Sequence, residues 1–322
     1  MNKKNTILLI IFLVLLGLAL LYKGPFTNYR LNKQKEPSFL SGLDLDKINQ
    51  IEIAQPEKER ISLTKSEFKG EERWKISIWP GFYVSRLNMK EIFEKLAELS
   101  QNDLLLASNE KDRKDRFMTN NEEGIWVELF NQEDVLASMI VGKNTRDYNY
   151  TYFSQPGADQ TYMAKGNMYG MFVKTEWRDQ SIFDDDQDLV DTLRIQRGAD
   201  SFLIEEKDGK WFYNEIELNE NKVAQITRSM TSLNTARFPE QTFAGTGLEK
   251  NQLILQVTGE GVDNTLMIGD YIIENLGDLE TATEDKYYYV KRGDSDNIYM
   301  LHEKTINTFD VRIEDLKKEE KK

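Results

Sequence analysis

From Asp44 onward, apolar residues fall largely at alternate positions: Ile48, Ile51 and Ile53, then Ile61 and Leu63, then Trp74, Ile76 and Ile78. Alternation of this kind, broken by polar turns, predicts half-buried strands. The rhythm restarts near Asp186 with Leu193 and Ile195, then Phe202 and Ile204, then the run "KDGKWFY". Its Asp208-Gly209 pair predicts a tight hairpin that delivers Trp211 to the place held earlier by Trp74. After each set the spacing changes to that of a helix, with Ile92, Phe93, Leu96 and Leu99 following Asn88, and Val223, Ile226, Met230 and Leu233 following Asn219. Asn88 with Glu91 three residues later has the capping-box arrangement, which predicts a helix start there. Further strands follow, "GIWVELF" with "VLASMIVG" in the first set and "LILQV" with "TLMIGD" in the second, and Gly142 and Gly269 are expected to end matching strands.

The chain also repeats itself in detail. "NYTYFSQPGADQTYMAKGNMYGMF" at 149–172 and "KYYYVKRGDSDNIYMLHEKTINTF" at 286–309 align without a gap, 137 positions apart. Tyr150, Tyr152, Asp159, Tyr162, Met163 and Phe172 recur as Tyr287, Tyr289, Asp296, Tyr299, Met300 and Phe309. A duplicated structural unit accounts for this. Strand meander, amphipathic helix, more strands and a short closing helix describe an α+β fold with mostly antiparallel sheet, because the strands follow one another through short turns. The expected organisation is a tandem duplication, a first unit over 44–185 and a second over 186–316. Between Gly269 and the tyrosine strand the second copy is longer, and the excess "NLGDLETATED" at 275–285 is expected to be an exposed acidic loop. Because side chains alternate across a strand, Tyr150 shares a face with Tyr152, and Tyr287 with Tyr289. Such tyrosines either cover the sheet or offer a contact surface.

"TILLIIFLVLLGLALLY", Thr6 to Tyr22, has no charge and is just long enough to cross a bilayer. No A-x-A-like cleavage site follows it, so 1–22 is expected to be an uncleaved anchor that engages the lipid bilayer as a single transmembrane helix. Pro25, Pro37, Gly24 and Gly42 mark 23–43 as a tether, and 317–322 reads as a charged, solvated tail. Charge does not fix the orientation: Lys3 and Lys4 on one side face Lys23, Arg30, Lys33 and Lys35 on the other.

Of 42 basic and 55 acidic residues, six basic and no acidic ones lie in the first 35 positions, which leaves the remainder at a formal −19. Nucleic-acid binding relies on Lys and Arg displacing counterions, so no nucleic-acid partner is expected. The absence of cysteine excludes disulfides, Cys-type zinc sites and a thiol nucleophile. His302 is the only histidine, so a histidine metal cluster is impossible and a Ser-His-Asp triad would have to use it. The corresponding position of the first copy holds Lys165, which favours a surface or cap role. No phosphate-cradling glycine motif occurs. The carboxylates of "DDDQDLVD", Asp184 to Asp191, suit a hard cation such as Ca²⁺. However, Leu189 occupies the position where an EF-hand needs glycine, and an acidic run at a repeat junction is ordinarily a solvated linker. No catalytic, cofactor-binding or metal-ligating residue is assigned, and no cofactor is expected. The candidate interaction surface is Tyr150, Tyr152, Tyr287 and Tyr289.

An N-terminal anchor followed by "DKINQIEI", a hairpin ending in "RWKI" or "KWFY", an Asn-started helix, an Ile/Val-Gly strand and "IYMLH" resembles the family described as domain of unknown function 4340. "VKTEWRDQSIF", 173–183, resembles the Trp/Leu-Arg-Asp segment that closes that family's unit, whereas the second copy has "DVRIEDL" at 310–316. The resemblance spans about residues 44–316 and implies units in tandem behind one membrane anchor. It further implies a body on the extracytoplasmic, periplasmic side of the cell membrane, and association with ABC-transporter components of the type linked to gliding motility and export. No catalytic or ligand residues carry over. The expectation is a non-enzymatic, anchored accessory module of a membrane protein complex, with ABC-transporter subunits as partners. The alternative is an envelope module that binds a glycan or small ligand through the tyrosine-rich strand faces.

Overall fold

The computed structural model describes residues 11–17, 34–250, 252–276 and 283–318. Among them no helix is long and apolar enough to cross a membrane. Residues 11–17 are helical, and the rest of the 1–22 segment expected as an anchor lies outside the described residues. The chain divides after Arg178 into two compact units.

The first unit is one antiparallel sheet of nine strands: β1 (Lys35–Glu36), β2 (Gln50–Ala54), β3 (Ile61–Phe68), β4 (Glu71–Ile76), β5 (Leu104–Ser108), β6 (Ile125–Asn131), β7 (Asp134–Asn144), β8 (Tyr150–Ser154) and β9 (Thr161–Lys165). Their order is β1-β5-β9-β8-β7-β6-β2-β3-β4. The sheet is accompanied by α1 (Arg86–Gln101), α2 (Lys114–Phe117) and α3 (Met168–Phe172). Alternation works as the sequence predicts: Ile51 and Ile53 of β2, Leu63 of β3, and Ile125, Val127 and Leu129 of β6 are buried. α1 turns Met89, Ile92, Leu96 and Leu99 inward. Phe93 stacks on Trp74 of β4 with ring centroids 5.5 Å apart.

The second unit has a small pair, β10 (Ser181–Asp184) with β15 (Ser232–Asn234), and a sheet of eight strands. The sheet contains β11 (Val190–Arg197), β12 (Asp200–Lys207), β13 (Lys210–Tyr213), β14 (Ile216–Glu217), β16 (Leu253–Gly259), β17 (Val262–Leu276), β18 (Thr283–Arg292) and β19 (Ile298–His302). α4 (Glu220–Thr231) lies against β13, β16 and β17, and α5 (Glu303–Phe309) follows β19. The sheet order, β14-β13-β12-β11-β16-β17-β18-β19, takes β11 to β13 and β16 to β19 along the path that β2 to β4 and β6 to β9 take in the first sheet.

The gapless alignment corresponds to identical strand register. Tyr150 faces Lys165 and Tyr152 faces Met163 across β8 and β9; Tyr287 faces His302 and Tyr289 faces Met300 across β18 and β19. Trp74 and Trp211 are both buried. Each lends its carbonyl to the N–H two residues before its helix: Val84 to Trp74 at 2.7 Å and Leu218 to Trp211 at 2.8 Å. Asp208 and Gly209 both adopt positive φ in a two-residue hairpin, and Lys69 and Gly70 do the same at the corresponding turn of the first unit.

Four details differ from the sequence reading. α1 is capped by Ser85, whose Oγ accepts from the Asn88 N–H at 3.5 Å; Asn88 is already helical. The Ser85 N–H is itself held by the Trp177 carbonyl at 2.9 Å, a long-range bond that fixes the helix start three residues early. Asn219 does cap α4. Second, the span 23–43 is not all tether: β1 pairs with β5, Leu40 is buried, and Phe39 stacks on Phe153 and Tyr162. Third, Gly142 and Gly269 do not end strands. Each sits inside one, at a register irregularity where another segment's backbone crosses. A Cβ there would lie 2.2 Å from the Phe117 carbonyl oxygen or 2.2 Å from that of Thr246. Fourth, the acidic excess is not wholly a loop. β17 and β18 pair through Leu276 and Thr283, so the described part forms a hairpin arm, and 277–282 lie outside the described residues.

β19 would leave an open edge, and a non-strand segment closes it. Met300 exchanges backbone bonds with Ala236 and Arg237. The Gln241 side chain acts as a peptide group, donating to the Ile298 carbonyl at 3.0 Å and accepting its N–H at 2.9 Å.

Candidate functional site

The four tyrosines singled out in the sequence occupy the predicted strands but differ in environment. Tyr150, Tyr152 and Tyr289 are half-buried, and Tyr287 is buried. The Tyr152 ring packs on Phe117 at 4.5 Å. The Arg237 guanidinium lies over the Tyr287 ring, 3.8 Å from its centroid, and is also paired with Glu274. The Tyr152 and Tyr287 rings are thus already engaged within their own units.

His302 is a helix cap. Its Nδ1 accepts from the Lys304 N–H at 3.1 Å, its Nε2 lies 3.5 Å from Asp285, and its ring meets Tyr287 edge-on. With Nδ1 accepting, the ring proton sits on Nε2 toward the carboxylate. In the Asp184–Asp191 run, Asp185 accepts from the Asn264 amide at 2.9 Å and Asp186 caps a short 3-10 turn through the Asp188 N–H. No group of three or more metal-ligating side chains occurs among the described residues.

The Trp-Arg-Asp segment closes the first unit. Trp177 is fully buried, and Arg178 forms a two-pronged pair with Glu176 at 2.8 and 2.7 Å while lying over the Trp79 ring at 4.4 Å. The second unit reaches the same closure with different residues. Leu316 is buried, its carbonyl accepts the Asn219 N–H at 2.8 Å, and Leu218 bridges to Lys317 as Val84 bridges to Arg178. The correspondence is hidden in the sequence because Leu316 replaces an indole and its partner bond is long-range.

Two surface features stand outside the sequence reading. The β17–β18 arm runs past its neighbours: β16 pairs with β17 only as far as Ile268, and β19 pairs with β18 only from Tyr287. On one face of the arm Tyr271 and Ile273 are each 49% exposed. Tyr288 stacks on Tyr271 at 5.1 Å, and Lys286, over Tyr271, pairs with Glu303. The second feature is an open depression of about 400 Å³ at the β7–β8 turn of the first unit, lined by Met118, Lys143, Arg146, Tyr148 and Tyr169 among others.

The class defined by this architecture is an α+β protein of two antiparallel-sheet units, each with a helix started beside a buried tryptophan and a short helix after its tyrosine hairpin. The model of the family described as Domain of unknown function (DUF4340) matches residues 74–253, from β4 of the first unit to the start of β16 in the second, and the chain belongs to that family. No curated protein and no solved structure matches the chain.

Proposed function

We propose that this protein is a non-enzymatic accessory module, anchored in the cell membrane by its N-terminal segment, with two units that arose by tandem duplication and an extracytoplasmic body that contacts membrane partners. The observation that carries the contact role is the β17–β18 arm. A two-stranded ribbon that, among the described residues, runs beyond its pairing with β16 at Ile268 and with β19 at Tyr287, and that exposes a Tyr271/Ile273 face, is a surface on which another chain can dock by side chains or by strand addition. Duplication is supported by the common strand order, the identical tyrosine-hairpin register and the equivalent closing bonds at Trp177 and Leu316. The charge-free run at 6–22 supports the anchor. Resemblance to the family supports the extracytoplasmic placement and ABC-transporter subunits of the gliding or export type as partners. The tyrosine faces are weaker platforms for a glycan, since Tyr287 lies under Arg237 and Tyr152 packs on Phe117.

The test is site-specific photocrosslinking in native membranes from position 273. The expected result is capture of an integral membrane protein, with capture from position 273 lost in Tyr271→Ser while the melting temperature of the full chain is unchanged. Failure of the wild-type arm to capture any membrane protein overturns the proposal. So does turnover of a substrate that disappears on changing a carboxylate.

A further inference from the structure

The depression on the first unit combines features that the contact role does not use. Lys143 and Arg146 are exposed and have no ion-pair partner among the described residues. The nearby Asp147 carboxylate is turned into its own loop, accepting from the Thr145 hydroxyl at 2.6 Å and the Asn149 amide at 2.7 Å, which hold its pKa below the usual range. The carboxylate stays charged, but its oxygens are directed to its own turn and it does not line the depression. Tyr148 stands 72% exposed at a φ of +57°, a left-handed position that Gly or Asn takes with less strain. A bulky ring held there at a conformational cost, with Tyr169 also on the lining, supplies an apolar face beside two unpaired cations. The feature is specific to this unit. Lys143 follows the crossing glycine Gly142, whereas Asp270 follows Gly269, and Asp270 is occupied by Lys250 and Gln252. Shared scaffolding therefore does not require a cation at this position.

We infer that this depression binds a saccharide bearing a carboxylate or phosphate, with Arg146 and Lys143 holding the anion and the Tyr148 ring lying against the sugar. A guanidinium grips planar oxyanions through paired N–H donors, and a tyrosine ring offers a rigid face for the body of the ligand. The volume of about 400 Å³ lies within the range of small-ligand sites. This assignment is independent of the arm and of the accessory role.

The test is calorimetric titration of the full chain in phosphatidylcholine nanodiscs with tri-galacturonic acid and with glucose 6-phosphate, using maltotriose, inorganic phosphate and phosphatidylglycerol vesicles as controls. At least one anionic sugar is expected to bind saturably, with maltotriose and inorganic phosphate at least tenfold weaker. Arg146→Gln and Lys143→Gln should each weaken binding about tenfold. Tyr148→Asn, which suits the left-handed backbone, should lose binding while its melting temperature stays at or above that of the wild type. The inference is overturned if neither anionic sugar binds, if maltotriose or phosphate binds equally well, if only the vesicles bind, or if the three variants bind like the wild type.

Discussion

Trp74 and Trp211 show how single residues anchor each unit. Both rings are buried, and both carbonyls hold the residue ahead of the helix cap, so removing either indole creates a cavity at the place where strand and helix meet. Trp74→Ala and Trp211→Ala should each destabilise by about 3–5 kcal/mol in chemical denaturation of the detergent-solubilised chain; a loss below about 1 kcal/mol would show that the site collapses around the change. Tyr162 gives a pH signature. Its hydroxyl donates to Glu36 at 3.1 Å, and burial first, then that carboxylate, raise its pKa to about 12. The folded state holds this proton more tightly than the unfolded chain, where tyrosine ionises near 10. The associated stability is therefore complete below about pH 10 and is lost as pH rises toward about 12. Comparing wild type with Tyr162→Phe across that window should show a steeper decline in the wild type; parallel curves would remove the effect from Tyr162.

At the scale of elements, much was legible because it is local. Alternation located the strands around Ile51, Leu63, Leu193 and Ile204, and Asp208-Gly209 set its hairpin. The gapless tyrosine windows carried a register, since a slip of one residue would turn every side chain to the opposite face. What escaped was decided at long range. Two residues at Lys35–Glu36 carry no periodicity and become a strand only because Leu104–Leu105 lie opposite. The crossing at Gly142 depends on where the Phe117 carbonyl arrives, and the cap at Ser85 on the Trp177 carbonyl. The candidate surface was legible only in part: alternation put the tyrosines on shared faces but could not reveal Arg237 above Tyr287 or the exposure of Tyr271. Gln241 is another long-range element, substituting for a neighbouring strand at Ile298. Gln241→Ala should free that N–H and carbonyl and produce concentration-dependent association in sedimentation velocity. A species that stays the same size at all concentrations would show that the edge is protected by other means.

For the whole molecule, the same seven-strand path appears in both units while their outlying hairpins differ, a compact turn at Tyr148 in one and a long arm in the other. The two units thus present different surfaces from one strand path. The charge-free run at 6–22 predicts that the full chain stays in the membrane fraction after carbonate washing and that N-terminal sequencing finds an intact start. A start beyond about residue 22 would remove the anchor from the account.

β1 has a mechanical consequence. It is the outermost strand of its sheet, paired over two residues, with the Gln34 carbonyl bonded to Leu106 just before it. A pull applied at Gln34 loads those few bonds at the sheet's rim, while the interior strands remain laced on both sides. Residues 34–36 would peel away first, giving roughly 10 Å of slack at about 3.3 Å per residue before the packed Phe39 and the buried Leu40 take up the load. The sheet from β2 onward, with the buried Trp74 on its far edge strand, would stay folded under a tension that had already released its leading edge.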